Sequence, residues 1–328
     1  MLDARASRSR VIAMVLTVII GSAIGSNVLA ADAYPVRPIR LVLGSAAGSG
    51  SDVVSRVLST RLSENIGQPV VVDNRAGAAG LIGAEIVSKS APDGYTIWIA
   101  TLTQHLSSTI QKKLLLEKEF EPIGFLAHTP FMIVASASIP VKTTEELIAY
   151  AKARPGKLLF GSSGTGGSLH ICVEMFQSMA GLKMTHVPYK GSAMAITDLM
   201  SGEIQLSCPP VAAMQPFLNN GKLRVLGVTT KEPTALAPGY APIAKALPGY
   251  AFPGWYGALM PLKAPKHIVA RLHKEFARTV NAPDMRERLI KVGVEPAMST
   301  PEEFRDFLKQ ESERMAKVLR EAGVQGAN

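Results

Sequence analysis

The chain of 328 residues is long enough to form two lobes, each with its own core. Its hydrophobic content of 47% and charged content of 19% exclude an intrinsically disordered protein. The net charge is +9, but lysine and arginine are spread along the chain without a basic block or interleaved aromatic residues. This pattern indicates a solvated surface that attracts anions rather than a nucleic-acid-binding face.

The first 33 residues predict a secretory signal peptide. Three arginines precede an apolar run at 11–20, and Ala31-Asp32-Ala33 fits a cleavage pattern, with 28–30 as a competing site. An uncleaved membrane anchor is the alternative, which the short apolar run disfavours. We therefore expect a mature chain that begins near Tyr34 and lies outside the cytoplasm.

The stretch 39–62 predicts a strand, a loop of small residues and a helix. An apolar run at 39–43 is followed by glycine, serine and alanine at 44–51 and then by apolar residues at helical spacing. This order leaves free backbone N–H groups at the positive end of a helix, which is a site for an anion. Ser51 or Asp52 would be the N-cap. The alternative is an ordinary turn whose small residues only permit tight packing.

The following segments continue the alternation of strands and helices. Strands are predicted at 70–73 and 96–100, with a helix at 78–90 between them and a polar loop at 101–105 after them. The alternation predicts a mostly parallel sheet, in which ligands bind beyond the carboxyl ends of the strands. The loops at 44–51 and 101–103 both occupy such ends.

The stretch 157–180 repeats the order of strand, Gly/Ser loop and helix. Two helix N-termini that face one cleft would hold a small anionic ligand from both sides. Because further strands and helices continue to residue 252, we predict two α/β lobes. Residues 34–134 and 253–328 would form the first lobe and residues 135–252 the second, with hinges near 131–135 and 255–260.

The two cysteines, Cys172 and Cys208, are ambiguous. An exported protein can form a disulfide. However, Cys172 lies in an apolar helical stripe and Cys208 at a strand end, so we favour two small, buried, unpaired side chains. The histidines are scattered and the chain has no C-x-x-C pair, so we expect no metal site.

Seven segments occur in an order and at a spacing that resemble a known family. They are YPVRPIRLVL, GSAAGSGSD, VVVDNRAGAAG, APDGYT, FGSSGTGGSLH, HVPYKGS and STPEEF. Together they resemble the Bug (TctC-like) periplasmic solute-binding receptors of tripartite tricarboxylate transport. The resemblance covers essentially the whole mature chain. It implies a type II periplasmic-binding-protein fold with two α/β lobes around a ligand cleft.

The resemblance also implies a function. Such proteins close on small carboxylates, such as di- and tricarboxylates, aromatic acids or acidic amino acids, and are not enzymes. We therefore expect no catalytic residue and no cofactor. The expected partners are a small-molecule carboxylate and the membrane components of a tripartite transporter, or a sensor in their place. The protein itself is expected to be monomeric.

The resemblance places ligand contacts in five segments of this chain. They are Ser45, Ala46, Gly48, Ser49, Gly50, Ser51 and Asp52; Thr101, Leu102 and Thr103; Gly164, Thr165, Gly166, Ser168 and His170; Tyr189 and Lys190; and Pro209.

Several of these residues have a simpler explanation. Asp52 can serve only as a helix cap, His170 can pack or bond within the first helical turn, and Lys190 can be a solvated charge. Tyr189 can belong to the core. We rely most on the backbone N–H groups of the two loops, because they require no particular side chain.

The chain departs from the family pattern at two places. Gly44-Ser45 replaces Pro-Phe and Ser49 replaces a glycine in the first loop, which predicts a wider or wetter cleft. Many relatives carry Asp-Asn where this chain has Pro209-Pro210. Because Pro209 cannot pair with an ammonium group, we predict an acidic ligand without an amine.

An exported α/β enzyme is the alternative function. Gly44, Gly48 and Gly50 follow a strand, as in the dinucleotide-binding loop of short-chain dehydrogenases. Those enzymes need a Tyr-x-x-x-Lys pair, whereas Tyr189 is followed directly by Lys190. No G-x-S-x-G elbow surrounds Ser163 or Ser168, so a serine hydrolase is disfavoured too.

Overall fold

The structure is a computed structural model that describes residues 34–321. The predicted signal peptide lies outside the described residues. Within them, no helix combines the length and the apolar character required to cross a membrane.

The described residues form the following strands: β1 (Ile39–Leu43), β2 (Val70–Asn74), β3 (Thr96–Thr101), β4 (Phe120–Pro130), β5 (Met132–Ser136), β6 (Leu159–Ser162), β7 (Thr185–Pro188), β8 (Leu206–Ser207), β9 (Leu223–Val228), β10 (Pro253–Pro261) and β11 (Glu295–Pro296).

They form the following α-helices: α1 (Gly50–Ile66), α2 (Leu81–Ser88), α3 (Leu102–Gln111), α4 (Leu116–Glu119), α5 (Thr144–Lys152), α6 (Ser168–Ala180), α7 (Ser192–Ser201), α8 (Val211–Met214), α9 (Lys266–Val280), α10 (Pro283–Lys291) and α11 (Pro301–Glu321). Short 3₁₀ helices occur at Ala78–Gly80, Gln215–Phe217 and Ile243–Lys245.

The first sheet has six strands in the order β11-β4-β10-β3-β1-β2. β1 pairs in parallel with β2 and β3, as the alternation in the sequence predicts. β10 pairs antiparallel with β3 and β4, and β11 pairs antiparallel with β4, so the complete sheet is mixed. Four of the five β1 residues are buried, as expected for a strand covered on both faces.

The second sheet has five strands in the order β7-β6-β8-β5-β9. β6 pairs in parallel with β7 and β8, whereas β5 runs antiparallel to β8 and β9. Two sheets with their helices give the two-lobed α/β architecture that the family resemblance implies. The exact lobe boundaries, 34–134 with 253–328 against 135–252, stay a prediction.

The chain passes between the two sheets at Phe131 and again in the segment 229–252. Thr229 connects the two crossovers. Its N–H donates to the carbonyl of Phe131 (3.0 Å), and its hydroxyl donates to the carbonyl of Phe252 (2.8 Å). Phe252 in turn donates its N–H to the carbonyl of Thr229 (2.9 Å). The predicted hinge at 131–135 begins at the first crossover, whereas 255–260 lies inside β10, after the second.

The two cysteines form a disulfide, which corrects our expectation of unpaired side chains. Cys172 lies in α6 and Cys208 directly follows β8, with Cα atoms 6.2 Å apart. Both are fully buried, as the apolar stripe predicts. The fold brings together positions 36 residues apart, which periodicity alone does not reveal.

Two further expectations of secondary structure are wrong. The predicted polar loop at 101–105 is the start of α3. The strand β4 was not predicted, because its sequence contains two prolines, a glycine and a histidine. β4 is stabilised by β10, which pairs with it along its length.

Candidate functional site

A cavity lies between the two sheets, at the carboxyl ends of β1 and β3. Its volume is about 50 Å³, which can hold several water molecules or a small solute. Its walls come from both lobes and from the crossovers. The lining residues are Gly44, Ser45, Ser49, Gly50, Ser51, Ala79, Thr101, Leu102, Thr103, Gln104, Thr129, Phe131, Ser163, Ser168, Leu169, Lys190, Gly191, Ser192, Pro210, Trp255 and Tyr256.

Serine hydroxyl groups line the cavity beside the first loop (residues 44–49). Ser49 is the N-cap of α1 and accepts a hydrogen bond from the N–H of Asp52 (3.4 Å), so the cap lies two or three residues before the predicted caps, Ser51 or Asp52. The hydroxyl of Ser49 also donates to that of Ser45 (2.8 Å), which contacts Ser51. These hydroxyl groups can replace their hydrogen bonds to one another with hydrogen bonds to a polar ligand.

Gly50, the first residue of α1, has to be a glycine for packing reasons. A β-carbon at this position would lie 2.8 Å from the hydroxyl of Tyr256 and 3.0 Å from the ring of Pro210. The first turn of α1 therefore lies in direct contact with β10 and with the segment before α8. Gly50 and Ser51 of this turn both line the cavity.

Asp52 lies in the first turn of α1 but does not line the cavity. Its carboxylate accepts hydrogen bonds from the N–H of Gly48 (2.9 Å) and from Arg56 (3.0 Å). Burial by itself would raise the pKa of Asp52. The two hydrogen bonds, a third from Asn74 and the charge of Arg56 together outweigh burial, so the pKa lies below its ordinary value. The carboxylate is therefore ionised and occupied in stabilising the start of α1.

The start of α3 forms the cavity wall beyond β3. Thr101 is its N-cap and accepts from the N–H of Thr103 (3.2 Å), while the side chain of Gln104 accepts from the N–H of Thr101 (2.8 Å). This reciprocal arrangement is a capping box. It fixes the first turn of α3, where Thr101, Leu102 and Thr103 line the cavity.

The two lobes meet at the start of α6. The hydroxyl of Thr103 lies 2.6 Å from that of Ser168, the first residue of α6. At the mouth of the cleft, a β-carbon on Gly191 would lie 3.2 Å from that of Ala46. The structure therefore has the cleft closed, with the first loop close to the start of α7.

Four helices of ten or more residues begin at the cavity: α1, α3, α6 and α7. The sequence predicted two of these N-termini, those of α1 and α6. The first N–H groups of a helix have no partner within it, and the helix dipole makes this end positive. Four such ends from two lobes create a strongly anion-attracting environment.

Among the described residues that line the cavity, Lys190 is the only charged one and none carries a carboxylate. Ser163 also lines the cavity, and within the described residues its buried hydroxyl has no hydrogen-bond partner. The charge and the hydrogen-bonding capacity of the cavity both fit a small anion.

Half of the predicted contacts line the cavity and half do not. Those that do are Ser45, Ser49, Gly50, Ser51, Thr101, Leu102, Thr103, Ser168 and Lys190. Those that do not are Ala46, Gly48, Asp52, Gly164, Thr165, Gly166, His170, Tyr189 and Pro209.

Most residues of the second group have partners elsewhere in the structure. The hydroxyl of Tyr189 donates to Asp198 (2.7 Å), and the N–H of Gly166 donates to Nδ1 of His170 (3.2 Å). Pro209 accepts from the N–H of Met132 (2.9 Å), and it is the next residue, Pro210, that lines the cavity.

Sequence reasoning missed several residues of the cavity wall. They are Ala79, Gln104, Thr129, Phe131, Ser163, Leu169, Gly191, Ser192, Pro210, Trp255 and Tyr256. Gly44 lines the wall too and belongs to the predicted anion loop at 44–51. The T-x-x-Q pattern of the capping box could have identified Gln104, and Gly191-Ser192 directly follow the predicted Lys190. Tyr256, whose pKa is raised by burial, comes from a distant strand, and no local pattern indicates it.

Comparison with known proteins gives a consistent result. Residues 54–324 match the family model described as tripartite tricarboxylate transporter family receptor. A UPF0065 protein from the tcbD-tcbE intergenic region of Pseudomonas sp. strain P51 is 34% identical over 292 residues, covering 88% of this chain and 87% of that protein. BugT of Bordetella pertussis is 30% identical over 303 residues, covering 90% of this chain and 92% of that protein.

Solved structures share the fold. Rpa4515 of R. palustris with adipate has a TM-score of 0.84 at 33% identity, covering 88% of this chain and 98% of that chain. The periplasmic binding protein BugD has a TM-score of 0.83 at 29% identity, with coverages of 89% and 99%. MatC of Rhodopseudomonas palustris with bound malate has a TM-score of 0.82 at 26% identity, with coverages of 87% and 100%.

Proposed function

Because the chain belongs to the tripartite tricarboxylate transporter receptor family, we propose that it captures a small carboxylate in the cavity between its lobes and closes on it. The observation that carries this proposal is the charge of the cavity. Four helix N-termini and Lys190 line it, and the lining residues that the structure describes include no carboxylate. Such an environment stabilises an anion and opposes a cation.

The proposed ligand is a di- or tricarboxylate or an aromatic acid. The structural relatives hold adipate and malate, which are dicarboxylates without an amine. One carboxylate would contact the first turns of α1 and α3, and the hydroxyl groups of Ser163 and Ser168 would donate from the other lobe. A ligand touched by both lobes favours the closed state, because only that state provides all of its contacts.

We further propose that residues 1–33 direct the protein to the periplasm, where it acts as a monomer. It would deliver its ligand to the membrane components of a tripartite transporter, or to a sensor. The periplasmic relative BugD supports this location. Mass spectrometry of the periplasmic fraction tests it: the mature N-terminus should lie near Tyr34, and a chain that keeps Met1 would contradict export with cleavage.

A thermal-shift screen tests the proposed function against a nicotinamide-dependent enzyme. Adipate, malate, citrate, benzoate and NADH are added separately to the purified protein. A ligand at about a hundred times its dissociation constant should stabilise the fold by about 2.7 kcal/mol. At least one carboxylate should raise the melting temperature and NADH should not. Stabilisation by NADH alone would contradict the proposal.

A further inference from the structure

The second loop (residues 163–167), which presents Ser163 to the cavity and leads into α6, is held by bonds that do not reach the cavity. The N–H of Gly166 donates to Nδ1 of His170 (3.2 Å), and the N–H of Gly164 donates to the hydroxyl of Ser162 (3.1 Å). Because both N–H groups are bonded within their own lobe, they determine the shape of the loop rather than contact a ligand.

Two histidine rings provide this support. His170, in the first turn of α6, is buried, and its ring centroid lies 4.0 Å from that of His186 on β7. Nε2 of His186 lies 2.6 Å from the hydroxyl of Ser162, the same hydroxyl that holds Gly164. Both rings also stack on Phe160 of β6, with centroids 6.0 and 5.0 Å away.

The bond from Gly166 requires a neutral His170. Nδ1 of the ring accepts this bond and so carries no proton, which places the ring proton on Nε2, 3.5 Å from Oε1 of Glu174.

The surroundings of the pair keep His186 neutral as well. In the described part of the chain, the titratable groups that face the two rings from β6, β7 and α6 are the rings themselves and Glu174. Burial lowers the pKa of His186 to about 4, His170 lowers it too, and Glu174 raises it. At neutral pH His186 therefore places no positive charge beside His170.

We propose that His170 and His186 are positioning residues for ligand capture: in their neutral forms they hold the second loop in the shape that presents Ser163 and Ser168 to the cavity. Loss of either ring should release the loop and weaken binding. This inference rests on the proposed function, since the loop matters only if the cavity binds a ligand. It assigns to His170 a role behind the site in place of the direct contact that the family resemblance implies.

The first test uses the ligand-free protein, so it does not depend on the identity of the ligand. Amide hydrogen exchange of Gly166 is followed by NMR in the wild type, in His170→Ala and in His170→Asn, whose side-chain oxygen can replace Nδ1 as acceptor. Nitrogen shifts of the His170 ring should show an unprotonated Nδ1. Loss of the acceptor should reduce the protection of Gly166 about tenfold in the alanine variant, with recovery to within about threefold in the asparagine variant.

The same variants test the consequence for binding. Calorimetry with adipate and with malate should show an affinity about tenfold lower in His170→Ala and near the wild-type value in His170→Asn. His186→Ala should act in the same direction, with partial rescue by Gln, which can reach the hydroxyl of Ser162. His267→Ala, an exposed histidine on α9, is the matched control and should change neither quantity.

Rescue by His170→Asn separates positioning from a merely structural role. Only a side chain that accepts the bond from Gly166 should restore both the protection of this N–H group and the affinity. Unchanged protection of Gly166 in His170→Ala, or a protonated Nδ1, would overturn the inference even if carboxylates bind. Failure of every carboxylate to bind, with the exchange results as expected, would instead contradict the proposed function.

Discussion

The hydroxyl of Thr103 lies 2.6 Å from the hydroxyl of Ser168, and this contact joins the first turn of α3 to the first turn of α6 across the cleft. Both residues line the cavity. A hydrogen bond between the lobes at this point can exist only when the cleft is closed. The contact therefore links closure directly to the site that is proposed to hold the ligand.

Replacing Thr103 with Val should weaken binding of the best carboxylate about three- to tenfold, because a neutral hydrogen bond contributes about 0.5–1.5 kcal/mol. The double variant Thr103→Val, Ser168→Ala should lose little more affinity than a single variant, because the two hydroxyl groups share one hydrogen bond. Calorimetry measures the affinities, and small-angle scattering measures how much the protein becomes more compact on binding. Thr109→Val, in the same helix, is the control, because its hydroxyl bonds to His105 within α3. Fully additive losses would show that each hydroxyl contacts the ligand separately.

Replacing Lys190 with Met should lower the affinity for a dicarboxylate about tenfold, equivalent to about 1.4 kcal/mol. The effect is moderate because Lys190 is exposed and solvent screens its charge. Affinity should also become less sensitive to salt. Lys222→Met removes an exposed lysine outside the cavity and should leave both properties unchanged. An equal loss in the two variants would indicate a general effect of net charge.

Malate should bind more tightly than aspartate, which differs from it by an ammonium group in place of a hydroxyl. Sequence reasoning based this preference on Pro209, whereas in the structure Pro210 lines the cavity. The physical reason is broader: Lys190 and four helix N-termini are all positive, and no lining carboxylate can compensate an ammonium group. Calorimetry should give a preference of about tenfold or more. Tighter binding of aspartate would contradict the ligand class.

Acid should destabilise the protein through His105. This residue is fully buried, with Nδ1 lacking a partner among the described residues, and burial, with a smaller effect of Arg314, lowers its pKa to about 4. The unfolded chain binds a proton below its pKa of about 6.5, whereas the folded chain does so only near 4. The contribution of neutral His105 to the free energy of unfolding is therefore fully present above pH 6.5. It is lost as the pH drops towards 4, by on the order of 3 kcal/mol.

Urea unfolding at several pH values measures this loss in the wild type and in His105→Gln. The variant should depend less steeply on pH in this window, whatever its stability at neutral pH. His186 has a similarly lowered pKa, so part of the slope should remain. His267→Gln, at an exposed position, should keep the full wild-type slope. A His105→Gln variant with an unchanged slope would exclude His105 as the source.

Removing the disulfide should destabilise the protein. A cross-link between positions 36 residues apart restricts the unfolded chain, which corresponds to about 4 kcal/mol in the chain-entropy model. Guanidinium unfolding of the oxidised and fully reduced protein should show a lower midpoint after reduction. Cys172→Ala with Cys208→Ala should lower the midpoint too, and a reductant should then have no further effect. A reduced wild type with the oxidised midpoint would contradict the prediction.

Local patterns predicted much of the fold. The apolar run at Ile39–Leu43 is a strand with the predicted bounds, and the strands predicted at 70–73 and 96–100 each extend one residue further. Burial periodicity and caps depend on residues a few positions apart, so the sequence carries them directly. The start of α3 was missed although its signal was present, because the Thr101–Gln104 capping box was interpreted as part of a loop.

The candidate site was predicted less completely. The Gly/Ser loops and Lys190 are visible as local motifs, and Ser45, Ser51, Ser168 and Lys190 do line the cavity. Asp52 does not, because Arg56, one helical turn away, and the N–H of Gly48 occupy its carboxylate. Its interaction with Arg56 is itself an i,i+4 pattern that the sequence displays.

The sequence by itself determined the alternation of strands and helices, the two anion-attracting loops and the family. Only the tertiary structure decided that β10 brings Trp255 and Tyr256 to the cavity, that Cys172 forms a disulfide with Cys208, and that Nδ1 of His170 accepts a hydrogen bond from Gly166. The physical reason is the range of the interactions. Periodicity, caps and turns arise between near neighbours, whereas strand pairing and closure join residues whose proximity no local pattern encodes.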